Sequence, residues 1–266
     1  MTEATVLNCQ GLSFAYGEEP VLRDVNLELQ RGLLYGIIGP NGSGKTTLLD
    51  LCTGSKRPST GEIRLLSRPL RTFSAREKAQ QIALVPQEYR MDLGFTVTEL
   101  VLMGRHPYIP RFGSPSAEDW RQVQQAIDDI GITDIADRST SHLSGGQKQR
   151  VVVARALAQN TPILLLDEAT ANLDIQYTLQ IFNLSRNLVK QKNRTVLAVV
   201  HDLNLAAAYC DALIVMEKGK VVVSGPTENV LDAGTIKQVF GVESRIYWDA
   251  YNQTKQISFL YGGKNR

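Results

Sequence analysis

Long apolar runs are missing from this chain. No stretch approaches the ~18 residues that a membrane-crossing helix needs, so any dealing with a bilayer has to pass through a partner. Cysteine is scarce: Cys9, Cys52 and Cys210 are odd in number and show no metal-ligand spacing. That pattern argues against a disulfide framework and points to reduced thiols in a cytosol. Charge of one sign hardly dominates. With 29 Lys and Arg against 27 Asp and Glu, the formal excess of +2 is too small to argue for nucleic acid or an anionic membrane surface. The opening residues Met1 to Asn8 carry no basic-then-apolar tract, so a secretory signal is not expected. Internal repeats and low-complexity tracts are also absent. What remains is a chain of 266 residues, 43% hydrophobic and 21% charged, ordinary for a soluble globular protein and long enough for one large domain or a domain with a lobe.

Against that background one segment carries specific chemistry. Gly39, Pro40, Asn41, Gly42, Ser43, Gly44, Lys45 and Thr46 fit G-x-x-x-x-G-K-[ST], with Thr47 following. Glycines let a backbone wrap closely around an anion, and the amides from Gly42 to Thr46 are expected to face phosphate oxygens. Lys45 supplies a fixed positive charge, and the Thr46 hydroxyl can hold magnesium. The flanks agree: 33–38 reads as a buried strand and 45–52 as a helix whose N-terminus faces the phosphates. A nucleoside triphosphate is the expected ligand. Cys52 falls near this loop, Cys9 on a strand and Cys210 on a helix.

The rest reads as α/β. Residues 5–9, 12–16 and 21–29 look like short strands of an antiparallel layer, the last with Val25, Leu27 and Leu29 on one face. A strand pair is expected around 61–66, and a strand over 82–85 stops at Pro86 and Gln87. From 88 to 160 the pattern turns helical, with connections at Pro107, Pro110 and Pro115. Continuous apolar runs at 163–167 and 195–200 suit parallel strands covered on both faces. A hairpin follows, 212–217 turning at Lys218 and Gly219 into 221–223, and a final pair over 244–249 and 256–260. The expected organisation is a catalytic core with the antiparallel layer (1–87 and 161–240), a helical lobe (88–160) and accessory strands (241–266).

The strand at 163–167 ends in two acids. Ligands of open α/β sheets lie beyond the carboxyl ends of the strands, so Asp167 and Glu168 are expected to face the phosphate loop. Asp167 is the candidate magnesium ligand, through water, and Glu168 the candidate base for attack on a γ-phosphate. His201 ends the next strand, where an imidazole can touch a γ-phosphate or order water; beside Asp202, which looks like a helix N-cap, it also reads as an ordinary turn residue. In Leu143-Ser144-Gly145-Gly146-Gln147, Ser144 and Gln147 form a capping box, and the two glycines open a second anion site at the positive end of a helix over 148–159. A cap alone needs no glycine in the first turn, where each costs up to ~1 kcal/mol against alanine.

This pentapeptide, after a Walker-type loop and before a carboxylate-ended strand, resembles the ATP-binding-cassette (ABC) ATPases over nearly the whole chain. The resemblance implies a RecA-like P-loop core sheet with an antiparallel β layer and an inserted helical lobe. It further implies ATP and Mg2+ as ligands. Tyr16 is similar to the aromatic that stacks on adenine, with a core aromatic as the other reading. Gln87 resembles the glutamine that touches magnesium and water and senses a transmembrane partner. Ala171-Asn172-Leu173-Asp174 resembles the loop that crosses between two subunits, although Asp174 also suits the cap of a helix from Ile175. Ala169 departs from the proline often found there. In the family two copies sandwich two nucleotides head to tail, each γ-phosphate lying between one copy's loop and the other's signature helix, so a homodimer is implied.

Which branch of the family is implied follows from what the cassette lacks. The interval from Thr47 to His142 has no long heptad insertion, against a DNA-repair or chromosome role; a lone cassette argues against the tandem ribosome-associated type. A separate importer subunit at the cytoplasmic face of the cell membrane is favoured, bound to a polytopic permease and served indirectly by a substrate-binding protein; a separate-subunit exporter is the alternative. The stretch Met103-Gly104-Arg105-His106-Pro107-Tyr108, continuing to Gly113, resembles one in ATPases of iron-siderophore, haem and cobalamin importers. It is expected on the surface facing the permease, or else as a proline-stiffened loop with a snorkelling arginine. The tail 241–266 reads as an accessory hairpin or a dimer contact.

Overall fold

The computed structural model describes residues 5–87, 89, 94–170 and 173–260. The chain forms two compact units, Met1–Leu70 with Leu197–Arg266, and Arg71–Val196. The expected lobe over 88–160 lies inside the second.

The first unit opens on strands β1 (Thr5–Tyr16) and β2 (Glu19–Gln30). β1 is one strand rather than two short ones. Gly11, at φ 58°, lets the chain slip register between Cys9 and Leu12 without breaking it. Alternation in β2 works as expected, with Val25, Leu27 and Leu29 buried. β3 (Leu34–Ile38) is buried at every residue and delivers the phosphate loop to α1 (Lys45–Thr53). β4 (Thr60–Leu65) and β5 (Arg68–Pro69) complete an antiparallel sheet in the order β2-β1-β4-β5.

The second unit begins with α2 (Ala75–Gln81) and β6 (Ile82–Val85), then α3 (Val97–Leu102), α4 (Ala117–Ile130) and α5 (Gly145–Ala158). Capping boxes start all four helices: Ser74 with Glu77, Thr96 with Glu99, Ser116 with Asp119 and Ser144 with Gln147. β7 (Ile163–Leu166) runs parallel to β6, and α6 (Ile175–Lys192) follows.

The chain re-enters the first unit within β8 (Thr195–Val199). α7 (Leu203–Tyr209) leads to β9 (Ala212–Glu217), which pairs parallel with β3 and antiparallel with β10 (Lys220–Pro226). These strands lie in the order β10-β9-β3-β8. Short α8 (Thr227–Val230) and α9 (Ala233–Phe240) precede a separate hairpin of β11 (Ser244–Asp249) and β12 (Thr254–Phe259). Among the described residues no helix is long and apolar enough to cross a membrane.

The three cysteines are buried thiols. Cys210 is not helical as expected but extended, one residue past α7. A hydrogen bond with the Cys52 thiol, then burial, pushes the Cys9 thiol well up, which keeps it protonated.

Candidate functional site

In the first unit the phosphate loop is shaped by what surrounds its glycines. A Cβ on Gly39 would lie 2.1 Å from the Met216 carbonyl oxygen, and one on Gly44 would lie 2.6 Å from Leu22 Cδ2. Gly42 has φ 77° and open space around it. One glycine thus lets the loop press on β9, another lets it press on β2, and the third turns it with an exposed face. The β9–β10 turn buttresses this arrangement, since the Gly219 amide donates to the Ser43 carbonyl at 3.2 Å. Lys45 is buried, its Nζ donating to the Gly39 and Pro40 carbonyls at 3.0 and 2.9 Å, so its ammonium is held against the start of the loop.

Three features of this loop fit a phosphate. Gly44 stands at the N-cap of helix α1 with no side-chain cap, and the first turn carries no acid, so its positive end lacks the side-chain acceptor that α2 to α5 have. The Ser43 hydroxyl is buried with no hydrogen-bond partner among the described residues. Asn41, Gly42 and Thr46 lie exposed along the rim, and Thr47 is buried beneath it. Tyr16 is 50% exposed, so it is not a core aromatic. Phe14 meets its ring edge-on at 4.9 Å, and the Lys56 ammonium lies 5.5 Å from the ring centroid, held by Asp50 at 2.6 Å. Lys56 is invisible to sequence reasoning, because no local pattern ties it to Tyr16. His201 is exposed on the turn before α7, which Asp202 caps as expected by accepting from the Asn204 and Leu205 amides.

In the second unit β7 carries Asp167, buried, to its carboxyl end, where its amide donates to the Val85 carbonyl at 2.9 Å. Glu168 turns into the left-handed region, φ 49°, a conformation costing of order 1–3 kcal/mol for a non-glycine residue and typical of functional positions. Its carboxylate accepts from the Gln87 amide at 2.8 Å. Two residues separated by 81 positions, singled out for different reasons, are therefore in direct contact. Two residues beyond Gln87, the Tyr89 hydroxyl accepts from Arg155 of α5 at 2.6 Å, a link that no sequence motif signals. Asp167 and Gln87 here, and Thr46 in the first unit, each carry an oxygen of the hard kind that magnesium prefers.

Helix α5 starts at Gly145, earlier than expected, with Ser144 accepting from the Gln147 amide at 3.3 Å and Gln147 accepting from the Ser144 amide at 3.0 Å. A Cβ on Gly145 would meet nothing within 4 Å, and one on Gly146 only Leu173 Cδ2 at 3.7 Å. The chain's own packing does not require these glycines. Asp174 caps α6 by accepting from the Tyr177 amide at 3.0 Å, next to an exposed Ile175. Ala171 and Asn172 of the same loop, and Glu88 at the expected start of the lobe, lie outside the described residues.

The Gly104–Tyr108 stretch corrects both expectations for Arg105. Arg105 neither snorkels nor faces outward: it is 4% exposed, pairs with buried Asp119 at 2.9 Å, and donates to the Ala158 and Gln159 carbonyls at the end of α5. Tyr108 covers its guanidinium at 4.0 Å. Gly104 has no room for a side chain, since a Cβ would lie 2.2 Å from the Arg155 carbonyl oxygen. This part of the motif ties the α3–α4 connection to α5. Met103 and His106 of the same stretch are exposed, as are Arg111 and Phe112 a few residues on.

With this geometry in view, residues 22–171 match the ABC transporter family, and the chain belongs to it. It is 37% identical over 243 residues to the iron(3+)-hydroxamate import ATP-binding protein of Bacillus subtilis, covering 91% of this chain and 90% of that protein. It is 39% identical over 234 residues to the cobalamin import ATP-binding protein of Halobacterium salinarum, covering 88% of this chain but only 58% of that longer relative. Among solved structures, an ABC transporter described as metal-chelate type, in an inward-facing conformation, superposes with TM-score 0.83 at 29% identity, over 97% of this chain and 98% of that one. An ATP-binding cassette solved as a dimer with ADP and phosphate superposes with TM-score 0.75 at 28% identity, over 83% of this chain and 98% of that one.

Proposed function

We propose that the chain is the ATP-hydrolysing subunit of an importer, peripheral at the cytoplasmic face of the cell membrane, that powers uptake of a metal chelate or corrinoid. The observation that carries this reading is the Gln87–Glu168 hydrogen bond of 2.8 Å. It joins the residue expected to sense a membrane partner to the carboxylate expected to take a proton from water, which is what coupling hydrolysis to a permease requires.

In this reading the loop Gly39–Thr47 binds the phosphates and Tyr16 stacks on adenine. Lys45 neutralises phosphate charge with a charge-assisted contact. Thr46, Gln87 and Asp167 hold magnesium, which supplies charge neutralisation to the phosphates when bound. Glu168 is the general base, and His201 orders the attacking water or contacts the γ-phosphate. Ser144, Gly145, Gly146 and Gln147 cradle the γ-phosphate held by a second copy, and Asp174 belongs to the loop that crosses to it. The open space around Gly145 and Gly146 supports this: a glycine that its own chain does not need is explained by close approach of something else. The core comprises 1–87 and 161–240, the lobe 88–160 and the accessory strands 241–266. A binding protein delivers cargo to the permease and reaches this subunit only indirectly.

The test is reconstitution of the chain with its co-purified membrane subunits in vesicles, with ATP on the cassette side. Accumulation of ferric hydroxamate, haem or cobalamin on that side supports the reading. Pumping of a lipid or drug away from it contradicts the importer assignment.

A further inference from the structure

The hairpin β11–β12 is a weak element on its own, since two strands without a third or a covering helix are marginal in water. It is covered by α7, and the joint is specific. Ile257 of β12 pairs with Ile246 of β11, but its own amide donates the other way, to Asn204 Oδ1 of α7 at 2.7 Å. Asn204 Nδ2 returns a longer bond to the Ile257 carbonyl at 3.4 Å. One side-chain amide thus completes the open edge of β12 as a neighbouring strand would. Thr254 adds a second tie, its hydroxyl donating to the Ala207 carbonyl at 3.1 Å.

The same Asn204 belongs to the turn that carries His201. Its backbone amide donates to Asp202 Oδ1 at 2.7 Å, one residue after the histidine. A helix of seven residues gains little from its own hydrogen bonds and frays without tertiary support. The N-terminal turn of α7 is therefore held from one side by the Asp202 cap and from the other by the hairpin. We propose that Asn204 is a positioning residue for His201, fixing the turn that presents the imidazole, and that the C-terminal hairpin serves turnover through this contact. The inference rests on the reading of His201 as part of the hydrolytic site.

The test is a double-mutant cycle on the full chain, measuring kcat and KM for ATP together with the thermal midpoint. Asn204→Ala is expected to lower kcat about tenfold, as a small misplacement of a catalytic group does, with KM within about twofold. Asn204→Asp, which keeps the acceptor for the Ile257 amide, is expected to restore most of the rate. In a His201→Ala background, Asn204→Ala is expected to cost nothing further in kcat. An unchanged kcat in Asn204→Ala, or losses that multiply in the double variant, would overturn the proposal. If His201→Ala alone turns over at the parent rate, the role of His201 fails and the proposal fails with it, a result distinct from the other two.

Discussion

Glu168 and Arg105 show how differently two charged residues in one unit behave. Glu168 sits in a strained left-handed turn with its carboxylate on Gln87. Replacing it by glutamine keeps the shape and removes the proposed base, so phosphate release should fall by ~10²–10⁴ while nucleotide binding holds. Steady-state phosphate assays beside equilibrium binding check this. Arg105 is legible as a motif residue but not as a buried one, because a Gly-Arg-His-Pro string does not reveal that Asp119 and the end of α5 close over it. Arg105→Ala strands a buried carboxylate and should destabilise the chain by about 3–5 kcal/mol, measured by urea unfolding. Burial works against ionisation of Asp119, but the Ser116 hydroxyl and amide, then Arg105, outweigh it and hold the carboxyl below the usual aspartate range. A depressed folded value means that the stabilisation is present above the ordinary aspartate value near 4 and is lost as pH falls through the folded one. Asp119→Asn should flatten the acid limb of the stability curve.

At the scale of elements, the strands are the most legible part. β6, β9 and β11 match their expected spans, because continuous or alternating apolar runs bounded by glycine, proline or charge leave little choice of register. β1 reads as two pieces in sequence, since a glycine inside a strand pattern marks a break and a bulge alike, and only pairing with β2 and β4 decides. The phosphate loop and the α5 capping box are readable because backbone conformation and residue type are locally coupled. Contacts such as Lys56 with Tyr16, or Arg155 with Tyr89, depend on tertiary placement and leave no local trace. The start of α5 offers a test. Gly145→Ala has room for its methyl and should raise monomer stability by up to ~1 kcal/mol in thermal unfolding. The same variant should slow ATP turnover, because in the proposed dimer the added methyl stands where a second copy's phosphate approaches. Loss of stability would mean that the glycine serves this chain's own fold.

For the whole molecule the account requires two partners. In the proposed reading the permease contact falls to exposed residues of the Met103–Gly113 stretch, where Phe112 is 95% exposed beside Arg111. Arg111→Glu should therefore uncouple vesicle uptake while leaving the isolated ATPase nearly unchanged, a comparison that Arg105 cannot provide. The second copy is the more central requirement, because one chain carries one phosphate loop and one signature helix. In the proposed reading the site is complete only in a dimer that ATP closes and hydrolysis opens. Light scattering of the Glu168→Gln chain with ATP and magnesium tests this most directly. The account predicts a species of twice 29.4 kDa that forms only with nucleotide and disappears when Ser144→Arg is added. A monomer under every nucleotide condition, even at high protein concentration, would contradict it.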